Sequence, residues 1–215
     1  MLNSLHLATP RRAATLLAGL VLGIVMPAAS IAQATPNSGV FITQIGDGNR
    51  ATVTQQTRNA AARIEQDGDE NTVTLTQQGT ADHSARIAQQ GSNNITTANQ
   101  SGAGQATLVT AQQGTGNFVD VAQTENSAGQ ITAATIFQTG NSNSITLTQD
   151  GSDNAALLRQ DGNDNAMTVA QNGIGNRLEW HQIGDGLSDL IIMQDGVQIG
   201  QQAMVITQTA PSAGL

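Results

Sequence analysis

The sequence predicts an all-β protein, a two-sheet parallel β-solenoid of about seven and a half coils with 22–23 residues in each coil. Three observations predict this fold. A Gln that is followed two residues later by Gly recurs along the chain, at spacings of mostly 11 or 12 residues. The residues two and four places before each Gln are mainly apolar and alternate with polar residues. Alternate units also differ six places before the Gln, so two units make one coil.

Fifteen Gln residues mark the units. They are Gln44, Gln55, Gln66, Gln77, Gln89, Gln100, Gln112, Gln123, Gln138, Gln149, Gln160, Gln171, Gln182, Gln194 and Gln208. Gly stands two residues later in 12 of the 15 units, and the exceptions are Thr57, Glu125 and Ala210. One spacing has 15 residues, which predicts a longer turn around Asn126–Gln130.

Each unit has the pattern of a half-buried strand. Before Gln77, for example, Val73 and Leu75 alternate with Thr74 and Thr76. A period of two places the apolar residues on one face of a strand, whereas a helix would scatter them around its axis. One such strand cannot bury its apolar face alone, so we expect strands one coil apart to pair in parallel, about 4.8 Å from each other. Gly is expected where the turns need a positive φ.

The Gln side chains are expected to point inward at the strand ends and to form a hydrogen-bonded amide ladder from coil to coil. A second ladder is expected six places before every other Gln, at Asn49, Asn71, Asn94, Asn117, Asn143 and Asn165. An unpaired buried amide costs about 1–3 kcal/mol, so these ladders stabilise the fold only when they are continuous.

The N-terminus has the pattern of a secretory signal peptide. Arg11 and Arg12 precede the apolar run Ala13–Val25, and the small residues Ala32 and Ala34 fit a cleavage site. The predicted division is a cleaved signal peptide at 1–34, a short N-terminal segment at 35–39, solenoid repeats at 40–208 and a C-terminal tail at 209–215.

Composition argues against several classes of protein. The chain has no Cys, so it has no disulfides, and its net charge of −8 with no Lys argues against a nucleic-acid partner. No catalytic, cofactor-binding or metal site and no small-molecule substrate is predicted, because the repeat accounts for the polar residues. His83 falls at an inward position, where a structural role is expected.

The repeat resembles that of the curlin family, the subunits of bacterial curli amyloid fibres. That family's repeat reads Ser-x5-Gln-x-Gly-x2-Asn-x-Ala-x3-Gln. The residues that match it in full are Ser38, Gln44, Gly46, Asn49, Ala51 and Gln55, and further copies continue to about Gln208.

The resemblance implies a solenoid that polymerises end to end into an extracellular fibre at the bacterial cell surface. It also implies export through an outer-membrane secretion pore with periplasmic accessory proteins, and a partner that is a curli-type nucleator or major subunit. The expected function is that of a secreted structural subunit for cell adhesion and biofilm matrix, not an enzyme. The expected polymerisation edges are Val40, Ile42, Gln44, Met204, Ile206 and Gln208.

Two alternatives remain open from the sequence. Outward Thr pairs such as Thr52 and Thr54 are also typical of a monomeric ice-binding or adhesin β-solenoid. Acidic turns such as Asp67–Glu70 are compatible with calcium sites, although solvated turns that slow self-association explain them more simply.

Overall fold

The computed structural model describes residues 39–57, 59–196 and 203–210, which form fifteen β-strands and no helix within these ranges. The strands alternate between two parallel sheets, so the predicted two-sheet β-solenoid is confirmed. In the described part of the chain there is accordingly no apolar helix of membrane-spanning length.

Odd-numbered strands form one sheet and even-numbered strands the other, here called the odd sheet and the even sheet. The odd sheet contains β1 (Gly39–Ile45), β3 (Ala61–Asp67), β5 (Ser84–Ser92), β7 (Gln105–Thr115), β9 (Ile131–Thr139), β11 (Ala155–Asp161), β13 (Arg177–Ile183) and β15 (Ala203–Thr209). The even sheet contains β2 (Arg50–Gln55), β4 (Thr72–Gln77), β6 (Ile95–Gly102), β8 (Phe118–Glu125), β10 (Ser144–Ser152), β12 (Ala166–Ile174) and β14 (Ile191–Gly196).

Register follows the repeat. Gln66 lies opposite Gln44 on one side and Gln89 on the other, 22 and 23 residues away. The same Gln-to-Gln register holds in every described strand pair. Equivalent residues of successive coils therefore form columns along the solenoid axis.

The core is a thin layer between the sheets. Ile64, Leu75, Leu108 and Leu158 are fully buried, and strands such as β9 alternate buried with partly exposed residues along their length. Trp180 is buried in the same layer, in the column between Leu158 and Ile206. Each buried aliphatic side chain contributes about 1.5–3 kcal/mol, and neighbouring coils are needed to bury both sides of it.

The turns bring the backbones of successive coils close together. Gly114 has a φ of 124°, and a Cβ added to it would overlap the carbonyl oxygen of Gly140 in the next coil. Only Gly fits there, for both a conformational and a steric reason. Polar residues such as Asn93 and Asp153 also adopt positive φ in these turns, at 57° and 56°.

The longer turn lies where the 15-residue spacing predicts it, between β8 and β9. Glu125 stands in place of the turn Gly, and its carboxylate is fully buried. Its Oε1 accepts a hydrogen bond from the backbone N–H of Ser127, and its Oε2 accepts from Thr132 Oγ1 and from the N–H of Asp153. The buried carboxylate thus holds the extra residues against the next coil, which sequence reasoning did not anticipate.

Candidate functional site: amide ladders and open sheet edges

Gln side chains form an unbroken ladder in each sheet. In the odd sheet, Nε2 of each Gln donates to Oε1 of the next, from Gln44 to Gln208, over 2.6–2.9 Å. In the even sheet the same contact runs from Gln55 to Gln194 over 2.7–3.0 Å. The interior amides are buried, so each rung satisfies its neighbours.

From Gln66 to Gln194, the second N–H of each amide crosses the core. Gln66 donates to the carbonyl of Arg50, the first residue of the preceding strand, and Gln77 donates to the carbonyl of Ala61, both over 3.3 Å. This contact recurs along both sheets up to Gln194, which donates to the carbonyl of Arg177. Sequence reasoning missed it, although one signal was present: every unit contains this Gln, whose side chain is longer than that of Asn.

The cross-core contact sets the direction of each ladder. A backbone carbonyl only accepts, so the amide nitrogen must face it, and the amide oxygen is left to accept from the preceding rung. Within both ladders, Nε2 therefore donates to the next Gln toward the C-terminal end of the solenoid. In the described residues no donor reaches Oε1 of Gln44 or Gln55, while Gln194 and Gln208 have no axial acceptor. One end of the solenoid thus presents amide oxygens and the other presents amide N–H groups.

The Asn ladder of the even sheet has the opposite direction. Asn71 donates from Nδ2 to Oδ1 of Asn49 over 3.1 Å, and its backbone N–H donates to the same oxygen. Its Nδ2 also donates to the turn carbonyl of Gly91 over 2.8 Å. The side-chain contact repeats at Asn94, Asn117 and Asn143, and Asn165 keeps the backbone contact. These residues hold the turns to the strands as well as to each other.

His83 takes the place of Asn in the odd sheet. Its Nδ1 accepts the backbone N–H of Ala106 over 3.2 Å, the role that Asn Oδ1 has in the other sheet. Its Nε2 lies 2.8 Å from the carbonyl of Gln78 and so carries the proton. Burial lowers the pKa of His83 below its ordinary value of 6.5, although the Gln78 carbonyl and Asp82 act in the opposite direction. His83 is a neutral structural residue.

The ends of the solenoid expose residues that are buried elsewhere. Val40, Ile42 and Met204 are 40–46% exposed, whereas Ile64 at the same position as Ile42 is fully buried. Ile206 is half-buried. The expected edge strands β1 and β15 are the two edges of the odd sheet only.

The even sheet has two further edges that sequence reasoning missed, β2 and β14. On the outer face of β14, Ile191 and Met193 are 68% and 63% exposed. An isolated strand pattern cannot reveal these edges, because they follow from which strands share a sheet.

The features behind the two alternatives are both present. Thr52, Thr74 and Thr97 lie side by side on the outer face of the even sheet, but Asp120 follows them on the next rung. The Thr array is therefore too short to cover the sheet.

The described acidic turns do not form a metal site. In the ranges that the structure describes, no three His, Asp or Glu side chains converge on one point.

Comparison with known proteins gives one family. The model of the curlin associated repeat matches residues 35–68, 68–102 and 140–173. The matches leave out the segment that contains the longer turn, where the spacing departs from the repeat. No curated protein and no solved structure is matched. The matched repeat is also the unit of both sheets and of their amide ladders, so the chain is built from curlin associated repeats.

Proposed function

We propose that this chain is a secreted structural subunit that assembles into curli-like amyloid fibres, for cell adhesion and biofilm matrix at the bacterial surface. It grows the fibre by adding β-strands at the solenoid ends and is not an enzyme. The proposed signal peptide, residues 1–34, lies outside the described residues. Export through an outer-membrane pore and a nucleator or major-subunit partner are part of the same proposal.

The observation that carries the proposal is the pair of unlike, open ends. An unpaired strand edge is a template for another strand, and native proteins normally cover it. Here the edges expose core residues such as Ile42 and Met204, and one end carries amide acceptors where the other carries donors. A contact between unlike ends does not close on itself, so it propagates as a filament.

Thioflavin T fluorescence of the purified chain, residues 35–215, tests this function. We expect a lag followed by growth, a shorter lag after adding sheared fibres as seeds, and a meridional reflection at about 4.8 Å from the aligned product. A chain that stays monomeric and shows thermal hysteresis of freezing would instead support the ice-binding alternative. Folding only in the presence of Ca²⁺ would support calcium-dependent turns.

Paired substitutions test whether the ends are the growing surfaces. Gln44→Ala with Gln208→Ala is expected to slow seeded elongation more than Gln100→Ala with Gln149→Ala, because the first pair removes amides from the polymerisation edges. The second pair is the matched control for loss of two rungs. Equal elongation rates for the two double variants would contradict end-to-end growth.

A further inference from the structure

The two ends of the solenoid are out of phase by half a coil. The odd sheet has β1 and β15 at its edges, while the even sheet has β2 and β14. At the C-terminal end the odd sheet therefore extends one strand beyond the even sheet. The described residues form fifteen strands, the same number as the Gln units in the sequence, so the solenoid does not contain a whole number of coils.

Successive strands are related by one repeated operation, a half-turn about the axis with an advance of half a coil. The cross-core contact supports this relation. Gln66 on an odd strand and Gln77 on an even strand both reach the first carbonyl of the preceding strand, over the same 3.3 Å. The two sheets are thus equivalent in their Gln contacts, and the strand that continues the fold after β15 belongs on the even sheet.

We propose that neighbouring subunits of the fibre are related by a half-turn about the fibre axis, so that β1 of one copy pairs with β14 of the preceding copy and β2 pairs with β15. The odd sheet of each copy thereby continues the even sheet of its neighbour. This inference rests on the proposed function, since it describes the joint between two copies of the chain.

Stacking without the half-turn leaves a gap in one sheet. If β1 pairs with β15, then β2 comes to lie two rungs from β14, about 9.6 Å away, instead of one. The backbone groups of β14 and the amide of Gln194 then have no partner inside the fibre. Each buried polar group without a partner costs about 1–3 kcal/mol, and a whole strand edge contains several.

With the half-turn, both Gln ladders continue across the joint. Nε2 of Gln194 faces Oε1 of Gln44, and Nε2 of Gln208 faces Oε1 of Gln55, which are the donors and acceptors left over at the two ends. The second N–H of Gln44 then faces the carbonyl of Ala203, the first residue of β15. The terminal Gln amides make these contacts in the orientation that they already have in the single chain.

On the outer face of the joint, two large apolar residues come to lie opposite each other. Gln44 opposite Gln194 puts Phe41 opposite Ile191 and Thr43 opposite Met193. Phe41 is 54% exposed, and the two β14 side chains are the exposed apolar pair described above. On the preceding rung of the even sheet these positions hold Thr168 and Ala170. The large apolar side chains of β14 have no partner on their outer side within the described chain. In the fibre, β1 of the next copy supplies one.

The turn columns match in the same arrangement. Gly196 is followed by Gly46 in one column, as Gly follows Gly in most of the interior. Ala210 is followed by Thr57 in the other, so the two turns at the ends that lack Gly become neighbours. Without the half-turn, Gly46 would follow Ala210 instead.

Cysteine cross-linking between single variants tests the joint, since the natural chain has no Cys. Thr43→Cys and Met193→Cys proteins are mixed, assembled and oxidised. The half-turn places these residues opposite each other on neighbouring strands, about 4.8 Å apart at Cα, which a disulfide spans. Thr43→Cys mixed with Thr207→Cys is the matched control, because the half-turn puts those residues on opposite outer faces of the fibre.

We expect a disulfide-linked dimer band, after the fibres are dissolved, from the first mixture and not from the control. Fibres that give the band only in the control, or in neither mixture, would overturn the half-turn and leave the proposed function intact. If the unmodified chain forms no fibres at all, the proposed function itself fails and the joint with it.

Helical reconstruction of fibres of the unmodified chain gives an independent measurement. The half-turn predicts a subunit rise of about 36 Å, or seven and a half coils, with both sheets continuous through the joint. A rise of about 38 Å with one strand missing from one sheet at every joint would overturn it.

Discussion

Thr110 is a polar residue in an otherwise apolar core column. It lies between Ile87 and Ile136 on the odd sheet and is buried, and its Oγ1 has no hydrogen-bond partner among the described residues. A buried hydroxyl without a partner destabilises the folded state by about 1–3 kcal/mol, while Val has nearly the same shape.

We therefore expect Thr110→Val to raise the free energy of unfolding of the monomer by about 1–3 kcal/mol, measured by urea titration before fibres form. Thr148→Val is the control, because Thr148 is exposed on the outer face and the change there is expected to stay within about 0.5 kcal/mol. A lower urea midpoint for Thr110→Val would contradict this reading of the column.

His83 makes the stability of its coil depend on pH. Burial depresses its pKa in the folded state, so below about pH 6.5 the unfolded chain binds a proton that the folded chain does not. The contribution of neutral His83 to the free energy of unfolding is fully present above that pH, and it is lost as the pH falls toward the folded-state pKa. Protonation would also set an Nδ1–H against the N–H of Ala106.

The comparison variant is His83→Asn, which supplies an acceptor and a donor without titrating. Between about pH 7.5 and pH 5 we expect the urea midpoint of the natural chain to fall more than that of His83→Asn. Identical pH dependence of the two proteins would show that His83 does not contribute. Both proteins carry the same carboxylates, so the difference isolates the imidazole.

At the scale of the element, Gly is required in the turns for two reasons, a positive φ and the close approach of the next coil. Two glycines of one turn allow these reasons to be tested separately. Gly114 and Gly116 lie in the same turn and both have positive φ, at 124° and 69°. An added Cβ overlaps the next coil at Gly114, whereas at Gly116 it meets only Ser142 Oγ, 4.0 Å away. The first position therefore depends on close approach and conformation, and the second on conformation alone.

We expect Gly116→Ala to lower the free energy of unfolding by about 1–2 kcal/mol, the cost of a left-handed backbone. Gly114→Ala should lower it further, by about another 1–3 kcal/mol, because the strands on both sides must shift. Thermal or urea unfolding of the two monomers measures the difference. Equal losses would mean that the coils are not in contact at this turn.

At the scale of the whole molecule, the odd number of strands decides how copies stack. Ending the chain after Gly196 removes β15 and leaves seven strands in each sheet. The inference above then predicts fibres without a half-turn, with a rise of about 34 Å. In such fibres Thr43→Cys should cross-link to His181→Cys in place of Met193→Cys, because β1 now follows β13. Truncated fibres that keep the half-turn would show that strand number does not set the symmetry.

Local sequence determined most of the architecture. The period of two defines the strands, the Gly positions define the turns, and the recurrence of Gln sets coil length and strand number, because each of these is a property of a short segment. The 15-residue spacing likewise placed the longer turn. The role of the ladders and of the terminal residues in assembly stays a prediction.

Only the tertiary structure decided what depends on residues brought together from different strands. From Gln66 to Gln194, the direction of each Gln amide is set by a carbonyl 16 or more residues away on the opposite sheet, as for Gln66 and Arg50. His83 replaces Asn, and Glu125 anchors the longer turn, through backbone groups of other coils. The edges β2 and β14, and hence the half-coil offset of the two ends, appear only when strands are assigned to sheets, because an unpaired edge is a property of the assembled sheet and not of the strand that forms it.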